Sequence, residues 1–166
     1  MILWLIGMSG SGKTTLGEKI YQARKARNKC TVFLDGDHVR DMLRGDADYT
    51  VQGRYKNAER ISHLCKFLDK EGIDVVAAVL SIFPEWQKWN RENLKDYYEI
   101  FLDVPITELI ERDPKGFYKK AAVGQLQNFV GFDIEFPRPP NPDLVITLDD
   151  MKYGIESTFN TIMKKI

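Results

Sequence analysis

Five short apolar runs punctuate the chain, at residues 2–6, 31–35, 74–80, 99–103 and 144–148. They are rich in leucine, β-branched and aromatic side chains, and lack the apolar–polar alternation of a half-exposed strand. Such runs suit strands covered on both faces, the usual state of a parallel sheet. Between them lie stretches of helical spacing at 13–28, 37–44, 54–71, 85–97, 105–123 and 151–165. This alternation predicts one α/β domain over 1–166: three αβα layers around a mostly parallel five-stranded sheet with right-handed crossovers. Segment 131–143 carries Pro137, Pro139, Pro140 and Pro142, which excludes helix and central strand and predicts an ordered loop on the active-site side. Ligands of open α/β sheets gather at the carboxyl ends of the strands. The informative residues are therefore 7–14, 35–40, 81–85 and 103–105.

The first of these stretches reads Gly7-Met8-Ser9-Gly10-Ser11-Gly12-Lys13-Thr14. It is a G-x-x-x-x-G-K-[ST] phosphate-binding loop in the strand–loop–helix setting that the motif requires, and it makes the expected fold that of the P-loop NTPases. Glycines let successive N–H groups converge on phosphate oxygens, and the following helix turns its positive end to the same anion. Gly7, Ser9, Gly10, Ser11, Gly12, Lys13, Thr14 and Thr15 are the candidate phosphate contacts. Lys13 is expected at the β- and γ-phosphates, and the Thr14 hydroxyl on Mg²⁺.

The second run ends in Asp35-Gly36-Asp37-His38-Val39-Arg40. Two acids at a strand's carboxyl edge suit phosphoryl transfer, one holding the water shell of Mg²⁺ and the other accepting the proton of an attacking hydroxyl. The plainer reading makes Asp37 the N-cap of helix 38–44 and Asp35 a satisfied strand-end acid. Arg40 lies one helical turn beyond Asp37 and shares its face. Further on, Arg54, Asn57 and Arg60 share one face beside the apolar Ile61, Leu64, Cys65 and Leu68; alone this is a solvated charged face. Arg112, Lys115, Lys119 and Lys120, with Pro114 and Gly116 as breaks, describe either a cationic lid over about 112–126 or an exposed basic helix. Phe129, Gly131 and Phe132 place aromatics at a glycine turn, as a stacking platform or as core. His38 and His63 have no triad or metal spacing, and Trp86 and Trp89 read as packing.

Composition narrows the partners. Lys+Arg and Asp+Glu are both 24, without the basic excess of a nucleic-acid-binding or anionic-membrane protein. Cys30 and Cys65 stand apart and read as reduced thiols of a cytoplasmic protein. No apolar run is long enough for a signal peptide or a membrane span.

Taken together, these motifs resemble the adenylylsulfate kinases over nearly the whole chain. That family uses ATP to phosphorylate the ribose 3′-hydroxyl of adenosine 5′-phosphosulfate. The resemblance rests on Gly7–Thr14, Asp35-Gly36-Asp37-x-x-Arg40, Arg54-x-x-Asn57-x-x-Arg60, Arg112–Ala121, Phe129-x-Gly131-x-Asp133 and Pro139-x-Asn141-Pro142-Asp143-Leu144. It implies ATP and Mg²⁺ as cofactors and a small-molecule nucleotide as acceptor, with no nucleic-acid or membrane partner and a homodimeric assembly. It implies that Asp37 sits at the 3′-hydroxyl, that Arg40, Arg54 and Asn57 hold the acceptor's 5′-phosphoryl end, and that Tyr49 and Phe129 sandwich its base. Ser81 and Lys120 would complete the acceptor site.

Two departures bear on the acceptor. After the third strand the family typically reads Ile-Ser-Pro-Tyr-Arg, against Leu80-Ser81-Ile82-Phe83-Pro84; in the lid it reads Lys-Ala-Arg-Ala-Gly, against Lys120-Ala121-Ala122-Val123-Gly124. Each lost guanidinium removes a charge-assisted donor worth roughly 1.5–3 kcal/mol. The ATP half is intact and the acceptor half altered, which implies a nucleoside 5′-diphosphate-type acceptor other than adenosine phosphosulfate. Cytidine diphosphoramidate, used by relatives in bacterial capsule pathways, is the best candidate. The alternatives are a true adenylylsulfate kinase, another small-molecule P-loop kinase and a non-catalytic nucleotide-binding module.

Overall fold

A computed structural model describes residues 1–43 and 46–166. Its sheet has five strands in the order β2-β3-β1-β4-β5, with β1 at Ile2–Ile6, β2 at Thr31–Asp35, β3 at Asp74–Val79, β4 at Tyr97–Asp103 and β5 at Leu144–Thr147. Every pairing is parallel, and β1 sits at the centre with Leu3 opposite both Val76 and Tyr98. The expected "mostly parallel" sheet is thus wholly parallel.

Residue parity along β1 explains the three layers. Ile2, Trp4 and Ile6 enter one apolar cluster with Val75, Ala77 and Val79. Leu3 and Leu5 enter the opposite one with Val76, Ile100 and Leu102. Leu16 and Ile20 of α1 (Lys13–Arg27) and Ile162 of α8 (Ile155–Met163) close that second face. Ile61 and Cys65 of α3 (Val51–Lys70) pack on the first. Each fully buried aliphatic side chain contributes about 1.5–3 kcal/mol, so a central strand apolar on both faces is the natural seed of this core.

Helix boundaries differ from the expected ones where caps outweigh spacing. The helix α2 (Gly36–Met42) starts one residue early, and residue 44, the end of the expected 37–44 helix, lies outside the described residues. The helix α3 starts at Val51 rather than 54, because the Thr50 hydroxyl accepts from Gly53 N at 3.1 Å. The helix expected over 85–97 ends at Asn93 as α4 (Pro84–Asn93), and the aromatic pair Tyr97–Tyr98 instead extends β4 alongside Ile2 and Leu3. The one expected over 105–123 is two, α5 (Ile106–Arg112) and α6 (Phe117–Ala122), divided at Pro114 and Gly116. Near the end, α7 (Leu148–Met151) and α8 replace one helix over 151–165, since Thr147 and Asp150 form a capping box and Gly154 adopts φ +87°.

Residues 131–143 form neither helix nor strand, as the prolines require. Phe136 stacks on Phe101, and Arg138 pairs with Asp103 at 2.5 Å, which brings this loop over the carboxyl end of β4. Both cysteines are free, Cys30 exposed and Cys65 buried. Among the described residues no helix is long and apolar enough to cross a membrane.

Candidate active site

The loop between β1 and α1 is shaped by backbone that only glycine enters cheaply. Gly10 and Gly12 adopt φ of +80° and +90°. A Cβ on Gly7 would lie 2.5 Å from Ser11 Oγ and 3.3 Å from the Leu102 carbonyl, so the chain leaves the sheet in contact with β4. Gly12 caps α1 without a side-chain bond, which leaves the first-turn N–H groups of a fifteen-residue helix for an anion. Ser11 Oγ is buried without a partner.

Lys13 Nζ donates to the Met8 carbonyl at 3.2 Å, folded back over its own loop. Burial lowers its pKa to about 8; Asp35 and Asp37 pull it up, and Lys115 pushes it further down. This ammonium therefore sits in a pocket that disfavours its charge until an anion arrives.

The neighbouring acids divide their work. Thr14 Oγ1 donates to Asp35 Oδ2 at 2.9 Å, while Asp35 Oδ1 accepts from Asp37 N at 2.9 Å. Asp35, not Asp37, is thus the N-cap of α2, a correction to the plainer reading of the sequence. The reason is position: Asp35 has the extended backbone of a cap, whereas Asp37 is already helical. Asp37 is exposed, and none of the described side-chain bonds occupies its carboxylate.

Thr14 and Asp35 also fit Mg²⁺. No group of three His, Cys, Asp or Glu among the described residues could hold a metal alone. Mg²⁺ with a nucleotide asks for less, one or two protein oxygens with phosphates and waters supplying the rest.

Around this centre the structure gathers most of the expected acceptor residues, several engaged with backbone. Asn57 Nδ2 donates to the Gly36 carbonyl at 3.0 Å, tying α3 to the turn between the two acids. Arg40 donates to the carbonyls of Ala47 and Asp48. Arg54 Nε donates to the Tyr49 carbonyl at 2.8 Å, and its NH2 to the Asn128 carbonyl at 2.7 Å. Both guanidinium groups lie against the Tyr49 ring, at 4.6 and 5.4 Å. Burial, then the neighbouring Arg40, pushes the Arg54 pKa down. Arg60 turns away and pairs with Asp46.

The aromatic pair differs in setting. Tyr49 is 51% exposed, whereas Phe129 is 7% exposed and packs edge-on against Tyr118 at 4.9 Å. Arg54 links the segments that carry them.

The cationic segment covers the loop. The Asp113 carboxylate accepts from the backbone of Tyr118 and Lys119, capping the turn into α6. Tyr118 OH donates to the Ser9 carbonyl at 2.8 Å, and Pro114 and Leu109 lie beside Gly10. Lys115, Lys119 and Lys120 are exposed. Arg112 pairs with Glu108 at 2.7 Å. His63 packs between Trp86 and Trp89, as a structural histidine does, and His38 is exposed.

One feature escaped the sequence reading. Beside the phosphate loop, Ser11, Gly12 and Leu16 share a pocket with Arg112, Met151 and Ile155. Its walls come from three stretches far apart in sequence: the phosphate loop with α1, the end of α5, and the neighbouring α7 and α8.

This arrangement has known counterparts. A family model described as adenylylsulphate kinase matches residues 1–147. The chain is 41% identical over 165 residues to the cytidine diphosphoramidate kinase of Campylobacter jejuni, covering 99% of this chain and 95% of that protein. It is 31% identical to the adenylyl-sulfate kinase of Clostridium kluyveri, covering 100% of this chain and 85% of the relative. Among solved structures, the Mycobacterium tuberculosis APS kinase in complex with AMPPNP and APS superposes with a TM-score of 0.85 at 30% identity, over 98% of this chain and 95% of that one. With its phosphate loop, wholly parallel sheet and matching length, this chain is a P-loop kinase that belongs to the adenylylsulphate kinase family.

Proposed function

We propose that the protein transfers the γ-phosphoryl group of ATP to the ribose 3′-hydroxyl of a nucleoside 5′-diphosphate-type acceptor, with cytidine diphosphoramidate the best candidate. The observation that carries this reading is the full-length 41% identity to a cytidine diphosphoramidate kinase. Pro84 and Ala122, where adenylylsulfate kinases typically carry arginine, support it, because fewer cations face the acceptor's tail.

In this reading the backbone N–H groups of residues 7–15 hold the triphosphate and Lys13 offsets charge on its outer phosphates. The pocket against Arg112, Met151 and Ile155 takes the adenine. Thr14 and Asp35 would hold Mg²⁺, which would neutralise charge on the phosphate oxygens. Asp37, free of capping duty, accepts the proton of the 3′-hydroxyl as the new O–P bond forms and ADP departs. Arg40, Arg54, Asn57, Ser81 and Lys120 bind the acceptor, and Tyr49 and Phe129 sandwich its base. The lid residues Arg112, Lys115 and Lys119 close the site against water. The protein works in the cytoplasm as a homodimer, an assembly that light scattering will read.

A second reading, adenosine phosphosulfate as acceptor, is favoured by the adenylyl-sulfate kinases among the relatives. The discriminating experiment measures kcat/KM for cytidine diphosphoramidate and adenosine phosphosulfate under identical Mg·ATP. A preference of about a hundredfold for the cytidine compound is expected from two missing charge contacts. Pro84→Arg with Ala122→Arg should narrow that gap. A wild-type preference for adenosine phosphosulfate establishes the second reading instead.

A further inference from the structure

Ser81 stands just beyond β3, the strand between the phosphate-loop strand β1 and the Asp35 strand β2. Among the described residues it is one of three non-glycine residues with positive φ, at +55°, in the left-handed region that such residues enter only when their surroundings hold them there. Two buried side chains do so here. Trp4 Nε1 donates to Ser81 Oγ at 3.0 Å. Gln87 Nε2, from the inner face of α4, donates to the Ser81 carbonyl at 2.9 Å and to Oγ at 3.3 Å. Trp4 and Gln87 are each 2% exposed. The Gln87 amide orientation follows from its partner, since a carbonyl only accepts; its Oε1 is left buried and unpaired.

This arrangement gives the hydroxyl a direction. A serine oxygen accepts twice and donates once. Trp4 and Gln87 occupy both acceptor positions, and no described bond uses the Ser81 proton. The group is thereby left only as a donor, at the carboxyl edge between the two halves of the site. The rest of the turn adds no cation: Ile82 and Phe83 are apolar, and Pro84 lacks even an N–H.

We propose that Gln87 and Trp4 are positioning residues that lock Ser81 as a one-way hydrogen-bond donor to a phosphate oxygen of the acceptor. This rests on the nucleotide-acceptor reading above. The neutral donor takes the place of charge at this turn, so binding there depends on direction rather than on net attraction. Position separates this contact from ATP, whose phosphates belong to the loop after β1 and the start of α1.

The test compares Ser81→Gly, Gln87→Leu, Trp4→Phe and the double variant Ser81→Gly/Gln87→Leu with wild type, using cytidine diphosphoramidate and Mg·ATP. Glycine accepts φ +55° without strain, so Ser81→Gly removes the hydroxyl alone. Leucine replaces a side chain of similar size whose oxygen already lacks a partner. Ser81→Gly and Gln87→Leu should each raise the acceptor KM about tenfold or more, the scale of one hydrogen bond to a charged group, with the ATP KM unchanged within about twofold. The double variant should be no worse than Ser81→Gly, because the Gln87 bond to the Ser81 carbonyl holds a turn that glycine adopts without strain, and the rest of its effect passes through the hydroxyl. Should Gln87→Leu fail to fold, Trp4→Phe carries the same expectation for the acceptor KM. Additive losses, parallel rises in both KM values or an unchanged acceptor KM overturn the proposal while leaving the kinase reading standing. A wild-type protein that phosphorylates no nucleotide overturns both.

Discussion

The two acids after β2 offer the sharpest test of the site. Asp37 is exposed and its carboxylate carries no described side-chain bond, while Asp35 caps α2 and accepts from Thr14. Replacing Asp37 by Asn therefore removes one charge near a helix start, about 0.3–1 kcal/mol, and no cap. If that carboxylate accepts the hydroxyl proton, kcat should fall by about 10²–10⁴, equivalent to roughly 2.7–5.5 kcal/mol of barrier. The catalytic loss thus exceeds the stability loss several-fold. Asp35→Ala reverses the balance on the stability side: losing a cap costs roughly 1 kcal/mol, or about 2–4 °C in Tm for a domain of this size. The assay is a coupled ADP-release measurement of kcat and both KM values, with thermal melts of the same preparations. Asp37→Asn should keep its Tm within about 4 °C, bind ATP nearly as well as wild type and turn over slowly. If it retains kcat within about threefold, Asp37 is a surface acid and the proton must go elsewhere.

Two further outcomes depend on pH. Lys13 in the free protein titrates near 8, and a polyphosphate favours its charged form, so ATP binding takes up a proton around and above that pH and weakens as pH rises further; calorimetry of Mg·ATP binding at pH 8.5 in buffers of different ionisation enthalpy reads the uptake, which should vanish in Lys13→Met. Glu99, 1% exposed and paired with Arg91 at 2.6 Å, has its pKa raised to about 7, chiefly by burial. A raised acid stabilises the fold below its unfolded pKa near 4.3 and loses that contribution as pH climbs through 7. Wild type should therefore lose on the order of 3 kcal/mol between pH 4.5 and 8 from this group, and Glu99→Gln should flatten the decline; denaturant titrations showing equal pH slopes for the two proteins would refute the assignment.

Local chemistry was legible wherever it was contiguous. The phosphate loop, Asp35-Gly36-Asp37 and the proline loop are short segments whose residues act on their neighbours, so spacing alone set their conformation. The five strands were legible because β1 and β3 are buried on both faces, and a doubly buried strand cannot alternate. Spacing failed at boundaries decided by single hydrogen bonds, as at Thr50, or by pairing with a distant strand, as at Tyr97.

The sequence by itself determined a P-loop kinase fold, the candidate phosphate contacts and the acids nearest them. Tertiary structure decided how Asp35 is tied up beyond its local cap, since its contact with Thr14 joins residues 21 positions apart in sequence. It decided that Arg40 and Arg54 flank the Tyr49 ring, that Phe129 packs against Tyr118 of α6, and that a pocket opens beside α1. It also fixed the direction of the Ser81 hydroxyl, through Trp4 from a strand 77 residues away. Such contacts depend on where the sheet order brings separate elements, and a sheet that interleaves β3 between β1 and β2 leaves no trace of that adjacency in local spacing.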